Sequence, residues 1–197
     1  MYTLPKPLLV REELLQRNVP IFTSLQFERV FRTSPLQTKY FLERQAEEGF
    51  LLRLKKGLYT LKTDKPAEEE IANALYKPSY ISFEYALAYY NIIPEMVYEV
   101  TSATTKPTRM FETDTLAFGY YTIKTEAYTG YSLIKKAGKE FLMAEPEKAL
   151  VDYLYFVSLG KKQLNERLLT KELNKTKLLY YASLFDRKSL IDLVEKI

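Results

Sequence analysis

Residues 22–62 read FTSLQFERVFRTSPLQTKYFLERQAEEGFLLRLKKGLYTLK. Phe27, Val30 and Phe31 recur at helical spacing, and Thr23 or Ser24 can supply the N-cap of a helix over 24–31. Arg32 and Thr33 make a turn. Ser34 then opens a better-marked helix. Pro35 takes the first helical position and Gln37 falls three residues after the cap, a capping box with proline where its missing N–H costs nothing. This helix runs to about Glu48, and Gly49 is the expected left-handed stop. Its inward face is Thr38, Phe41 and Leu42 with Gln45 or Ala46, while Leu36, Gln37, Lys39, Tyr40 and Arg44 point elsewhere. Two strands follow, 50–54 and 58–62, joined through Lys55-Lys56-Gly57, where glycine permits the positive φ of a tight hairpin.

A short helix, a turn, a capped helix and a basic hairpin, in that order, are the parts of a winged helix-turn-helix. Such a fold presses one helix into the DNA major groove while the hairpin touches the backbone. An upstream helix over 8–18, with Leu8, Leu14 and Leu15 on one face and Asn18 as terminator, completes the module. On this reading Gln37, Lys39 and Tyr40 reach base edges or phosphates, and Arg44, Arg53, Lys55 and Lys56 contact the backbone. Glutamine can bond adenine in bidentate fashion and lysine can reach guanine acceptors. Glu43, Glu47 and Glu48 oppose insertion of the helix's C-terminal half and so assign insertion to its N-terminal half. The alternative is a winged-helix protein–protein interaction module without sequence-specific DNA binding.

The remaining composition narrows the field. The chain has 197 residues, 47% hydrophobic and 27% charged, which suits a globular protein with a core. It has neither cysteine nor histidine, which excludes disulfides, Ser-His-Asp and Cys-His catalysis and the usual zinc sites. No P-loop and no Asp-x-Asp pair occurs, so the chain is expected to be no enzyme and to need no cofactor. Residues 1–66 carry 12 Lys and Arg against 7 Asp and Glu, while residues 67–197 carry 17 against 18. The basic excess therefore sits in the module that would face a polyanion. The proline-interrupted start MYTLPKPLLV is no signal peptide and no long apolar run follows, so a cytoplasmic protein without membrane contact is expected.

After a linker at 63–66, a second domain over 67–197 mixes helices and strands, giving an α+β fold overall. Helices are predicted at 67–75, 82–90 and 147–157. Strands are predicted at 97–104, 108–112 and 116–125, with a pair within 131–143. The tail from 161 to 197 reads as helices broken near Thr170, Asn174 and Asp186. The hydroxyl-rich stretch from Thr101 to Arg109 can hold an acidic group, or its hydroxyls can satisfy their own backbone. An ion pair from Lys106 or Arg109 to Glu147 or Asp152 is expected. The 17 tyrosines read as core-edge packing rather than a stacking platform for bases.

The second domain carries a particular order of motifs. PSYISFEYALAYYNIIPE (78–95) comes first, then Thr104-Thr105-Lys106 with Thr108-Arg109 and Phe111-Glu112, then AEPEKALVDYLY (144–155). Together with Glu48-Gly49-Phe50-Leu51 and Gly57-Leu58-Tyr59, these resemble the AbiEi antitoxin family. Those proteins are regulators paired with nucleotidyltransferase-like toxins in abortive-infection (type IV toxin–antitoxin, phage-defence) operons. The resemblance implies a repressor that binds double-stranded operator repeats upstream of its own operon and a C-terminal domain that counters the toxin, directly or indirectly. Lys106, Thr108, Arg109, Glu147 and Asp152 are then candidates for a toxin-countering or a structural role.

Overall fold

Thr23 and Ser34 start helices by the same device in the computed structural model, which describes residues 4–113, 116–136 and 138–197. The opening Met1-Tyr2-Thr3 of the N-terminal stretch and Ala137 of the predicted strand pair lie outside the described residues. Gln26 N donates to Thr23 Oγ1 at 3.2 Å while Thr23 N donates to Gln26 Oε1 at 2.8 Å. Ser34 and Gln37 repeat this exchange at 3.3 and 3.0 Å. Each capping box satisfies backbone N–H groups that a helix start would leave open. They launch α2 (Ser24–Phe31) and α3 (Pro35–Glu47). Between them Arg32 adopts φ 53°, so the chain reverses in two residues. Gly49 at φ 77° ends α3, and Phe50 N returns to Gln45 O at 3.0 Å.

The chain divides into two units, Met1–Ala67 and Glu68–Ile197, a boundary one residue beyond the predicted one. In the first, α1 (Pro7–Gln16) precedes β1 (Ile21–Thr23), and β2 (Leu51–Lys55) and β3 (Leu58–Leu61) follow α3. The strands form an antiparallel sheet in the order β1-β3-β2. Phe27 is the hub of the core, its ring 5.9 Å from Phe22, 4.5 Å from Phe31 and 5.2 Å from Phe41. The inward face of α3 is Thr38, Phe41, Leu42 and Gln45, as its periodicity predicts. On α1 the expected face is corrected. Val10 and Leu14 are buried, whereas Leu8 and Leu15 face solvent, because the helix starts at Pro7 and only the 10/14 ridge meets the sheet side. Arg11 donates two hydrogen bonds to Asp64, at 2.8 and 2.7 Å, and so pins the predicted linker to α1.

The second unit is built on six strands: β4 (Ser79–Ile81), β5 (Glu99–Thr104), β6 (Arg109–Glu112), β7 (Ala117–Thr122), β8 (Tyr131–Lys136) and β9 (Lys139–Ala144). Their order is β6-β7-β5-β4-β9-β8, with β5/β7 and β4/β9 parallel and the other pairs antiparallel. Around the sheet lie α4 (Glu68–Leu75), α5 (Phe83–Tyr89), α6 (Pro146–Ser158), α7 (Lys175–Ser183) and α8 (Lys188–Lys196). The short β4 meets β9 only at Ile81 and Met143. Side chains of α4 complete the rest of that edge. Asn73 Nδ2 donates to Leu142 O at 3.3 Å, and Asn73 Oδ1 accepts from Leu142 N at 2.5 Å. Glu70 Oε1 accepts from Glu140 N at 3.2 Å. A helix thereby stands in for a missing strand and leaves these backbone groups paired.

The tail differs from its expectation. Only Lys175–Ser183 and Lys188–Lys196 are helical beyond α6. Residues 161–174 find their partners across the fold instead of within a helix. Tyr153 OH donates to Gln163 O at 2.5 Å and accepts from Asn165 N at 2.8 Å, and Leu169 N donates to Ile92 O at 2.8 Å. Glu145 anchors α7 through Lys177 at 2.9 Å and the Tyr181 hydroxyl at 3.1 Å. Lys177, and to a lesser degree Tyr181, holds the Glu145 carboxyl below its ordinary range. The anchor is therefore complete above the unfolded-state carboxyl pKa of about 4.3 and weakens as pH falls through the lower folded value. The hydrogen-exchange protection factors of residues 175–183, which are exchange rates taken relative to the intrinsic rate at each pH, are expected to fall on acidification from pH 6 toward about pH 3, and Glu145→Gln should abolish most of that pH dependence.

Candidate nucleic-acid interface

The burial of one face of α3 against the Phe27 rings fixes which residues the helix presents outward. Lys39, Tyr40, Glu43 and Arg44 are exposed, and so is Leu36. Tyr40 keeps 55% of its surface in solvent although its ring is large enough to anchor a core. The charge along the helix is polar in the lengthwise sense: Lys39 lies in its first half, while Glu43, Glu47 and Glu48 occupy the second. The partial positive charge of the helix N-terminus adds to the first half.

Several predicted contact residues already have other engagements, and Tyr40 shares a side-chain hydrogen bond with Arg44. The Gln37 side-chain oxygen accepts from Ser34 N, so a bidentate bond to adenine, which needs both amide atoms, competes with the cap. Arg44 Nε donates to Glu48 Oε1 at 2.7 Å, and this pairing holds the Glu48 carboxyl below its usual range. The bond uses Arg44 Nε, which leaves the terminal guanidinium nitrogens as the donors for any phosphate contact.

The hairpin is shorter than its sequence suggests. Lys55 belongs to β2 and pairs with Leu58, so the turn is Lys56-Gly57 alone, with Gly57 at φ 77°. A bulge between Arg53 and Lys55 accommodates Leu54 as an extra, buried residue. The tip does not project freely, because Ser24 N at the start of α2 donates to Gly57 O at 3.2 Å. Arg53 and Lys56 are exposed, and Lys55 is half-buried. Arg29 at the end of α2 and Arg32 in the turn are also exposed. The helix and hairpin patterns do not single out these two cations, whose signal is their place beside the α2–α3 turn.

In the second unit the expected ion pairs from Lys106 or Arg109 to Glu147 or Asp152 do not form. Asp152 is fully buried and bonded to a lysine one turn earlier on its own helix. Its Oδ1 accepts from the Lys148 ammonium, and its Oδ2 accepts from Ser82 Oγ at 2.7 Å and Tyr80 OH at 3.0 Å. Lys148 is equally buried, 4.9 Å from the Phe185 ring. Loss of hydration lowers the Lys148 pKa and raises that of Asp152, and their mutual attraction opposes both shifts. Glu147, 8% exposed, accepts from Asn174 N at 3.0 Å. These two acids bind the interior and the tail together and offer no surface to a partner.

Lys106 and Arg109 lie exposed, 5.5 and 5.9 Å from the Tyr76 ring. Thr108 Oγ1 accepts from Thr122 N at 3.2 Å, and Thr104 Oγ1 donates to Pro78 O at 2.7 Å, so these hydroxyls of the 101–109 stretch serve their own fold. Among the described residues no cluster of three or more acidic side chains is placed to hold a metal ion, and no helix is long and apolar enough to cross a membrane. No protein-family model matches this chain, and no curated protein matches it at a significant level.

Two variants separate the roles of these groups. Gln37→Ala is expected to destabilise α3 by about 0.5–1 kcal/mol through the lost cap, whereas Gln37→Glu, which keeps an acceptor at that position, should retain stability in urea titration. Asp152→Asn should cost about 3–5 kcal/mol by leaving Lys148 buried without its counter-charge. Lys148→Met combined with Asp152→Asn should recover part of that loss, again read by urea unfolding.

Proposed function

We propose that the chain is an antitoxin and DNA-binding repressor of its own toxin–antitoxin operon, with residues 1–67 acting as a winged helix-turn-helix. The observation that carries the reading is the two-sided build of α3. One side is consumed by the Phe27 core, and the other offers Lys39 and Tyr40 to solvent, while the hairpin of the same unit exposes the cations Arg53 and Lys56. The capped turn between α2 and α3 and the sheet order β1-β3-β2 supply the rest of such a module.

On this reading the N-terminal half of α3 lies in the major groove. Lys39 bonds a guanine edge or a phosphate, and the Tyr40 hydroxyl reaches a base or backbone oxygen. Arg53 and Lys56 neutralise phosphates, with Arg29 and Arg32 adding to the field. Gln37 acts mainly by fixing the helix start. Arg44 keeps Glu48 through Nε and meets phosphate, if at all, through its terminal nitrogens.

The antitoxin half of the proposal rests on the resemblance of the segments 78–95, 104–112 and 144–155 to the AbiEi family. Because Glu147 and Asp152 are interior, any toxin-directed contact in that region falls to exposed groups such as Lys106 and Arg109. The chain then works in the cytoplasm, without cofactor or catalysis.

Fluorescence anisotropy with duplexes from the region upstream of its own gene tests the DNA reading. Lys56→Ala and Arg53→Ala should weaken binding to every duplex and flatten the plot of log K against log[salt] by about 0.9 per lost phosphate contact. A binding constant indifferent to salt would sink the electrostatic mechanism.

A further inference from the structure

Leu36 keeps 78% of its surface exposed, more than Leu8, Leu9, Leu15 or Leu25 in the same unit. It is the second residue of α3, and at 100° per residue it stands opposite the buried face of Thr38, Phe41, Leu42 and Gln45. Its neighbours at i+3 and i+4 are Lys39 and Tyr40, both exposed. A leucine at the point of an amphipathic helix farthest from the core contradicts the pattern that the rest of α3 obeys. Such departures are where function is expected. Helix propensity does not call for it, since many polar residues serve as well at a first turn.

The surroundings say what covers it. Leu36 and Tyr40 share the outward face with Lys39, and no acidic side chain lies in the first two turns of α3, the exposed Glu43 coming only beyond them on the same face. Lys39 and the helix N-terminus call for an anionic surface, and Leu36 calls for an apolar spot within it. The DNA major groove matches all three. It is lined by phosphates, and its only apolar feature at the base edges is the thymine C5-methyl group. From residue 36 to residue 40 the helix rises about 6 Å, close to two base steps.

We propose that Leu36 is a specificity-determining residue that reads a thymine methyl, with the Tyr40 ring packing about two steps further along the groove. This rests on the DNA-binding reading and narrows it, since the operator must carry thymine at the position facing Leu36. Burial of one methyl group is worth about a fourfold change in affinity.

The test uses the full chain and the tightest-binding duplex among those tiling the region upstream of its own gene, with each thymine replaced in turn by deoxyuridine. Wild type should lose about three- to fivefold in affinity at one or two thymines and little elsewhere. Leu36→Ala should bind the thymine duplex about as weakly as wild type binds the uracil one, and should no longer distinguish them. Leu36→Met, which keeps an apolar side chain, should preserve the discrimination. Salt-dependent binding with no uracil-sensitive position, or with equal sensitivity in Leu36→Ala, overturns the inference and leaves the DNA reading standing. Failure to bind any of the duplexes above competitor DNA overturns both.

Discussion

The packing of Phe41 on Phe27 decides which side of α3 meets solvent. A helix turned by one residue about its axis would bring Tyr40 inward and lift Phe41 out. The 5.2 Å contact of the two rings, with Phe31 also 4.5 Å from Phe27, removes that freedom. The Ser34–Gln37 capping box acts on the same element from its end by setting where its first turn begins. Orientation and starting point together place Leu36, Lys39 and Tyr40 on one outward ridge. Stability and presentation are thus the same problem in this unit, because the residues that hold the helix define by elimination those that it offers.

The second unit follows a different logic. Its polar groups are largely turned on one another. Hydroxyls at positions 101, 104 and 108 bond neighbouring chain, Asn73 and Glu70 complete a strand edge, and Asp152 gathers Lys148, Ser82 and Tyr80 into the interior. A buried pair of this kind gives little net stability over an apolar equivalent, but it is strict about geometry, since either partner alone is costly. It locks α6 to β4 and places Phe185 of the tail over the lysine. What this unit leaves at its surface near the predicted site is a pair of cations on a tyrosine ring.

The first unit was largely legible because its signals are local. Capping boxes, the glycine stops at 49 and 57 and the 38/41/42/45 periodicity each depend on residues within one or two turns of each other. What could not be read depends on distant partners. β1 and β4 are three residues long, too short for an alternating pattern, and are defined by their pairing with β3 and with β5 and β9. Residues 161–174 lack helix because Tyr153 and Ile92 claim their backbone groups. Asp152 and Lys148 share the i, i+4 spacing of any surface pair, and nothing in that spacing says that both lie inside. Gln37 was legible twice over, as a cap and as a base reader, and the conflict between the roles needed the observed bond to become visible.

The bond from Ser24 N to Gly57 O has a mechanical meaning. A two-residue turn tied to the first turn of a neighbouring helix has no slack, so the cationic tip moves only with the body that carries it. Its ordering entropy is given up during folding and not at an encounter with a polyanion. A surface of this stiffness cannot adapt its reach to an irregular partner. Set against a partner, such a surface would discriminate among rigid shapes by fit, in the manner of a template rather than a grasping arm.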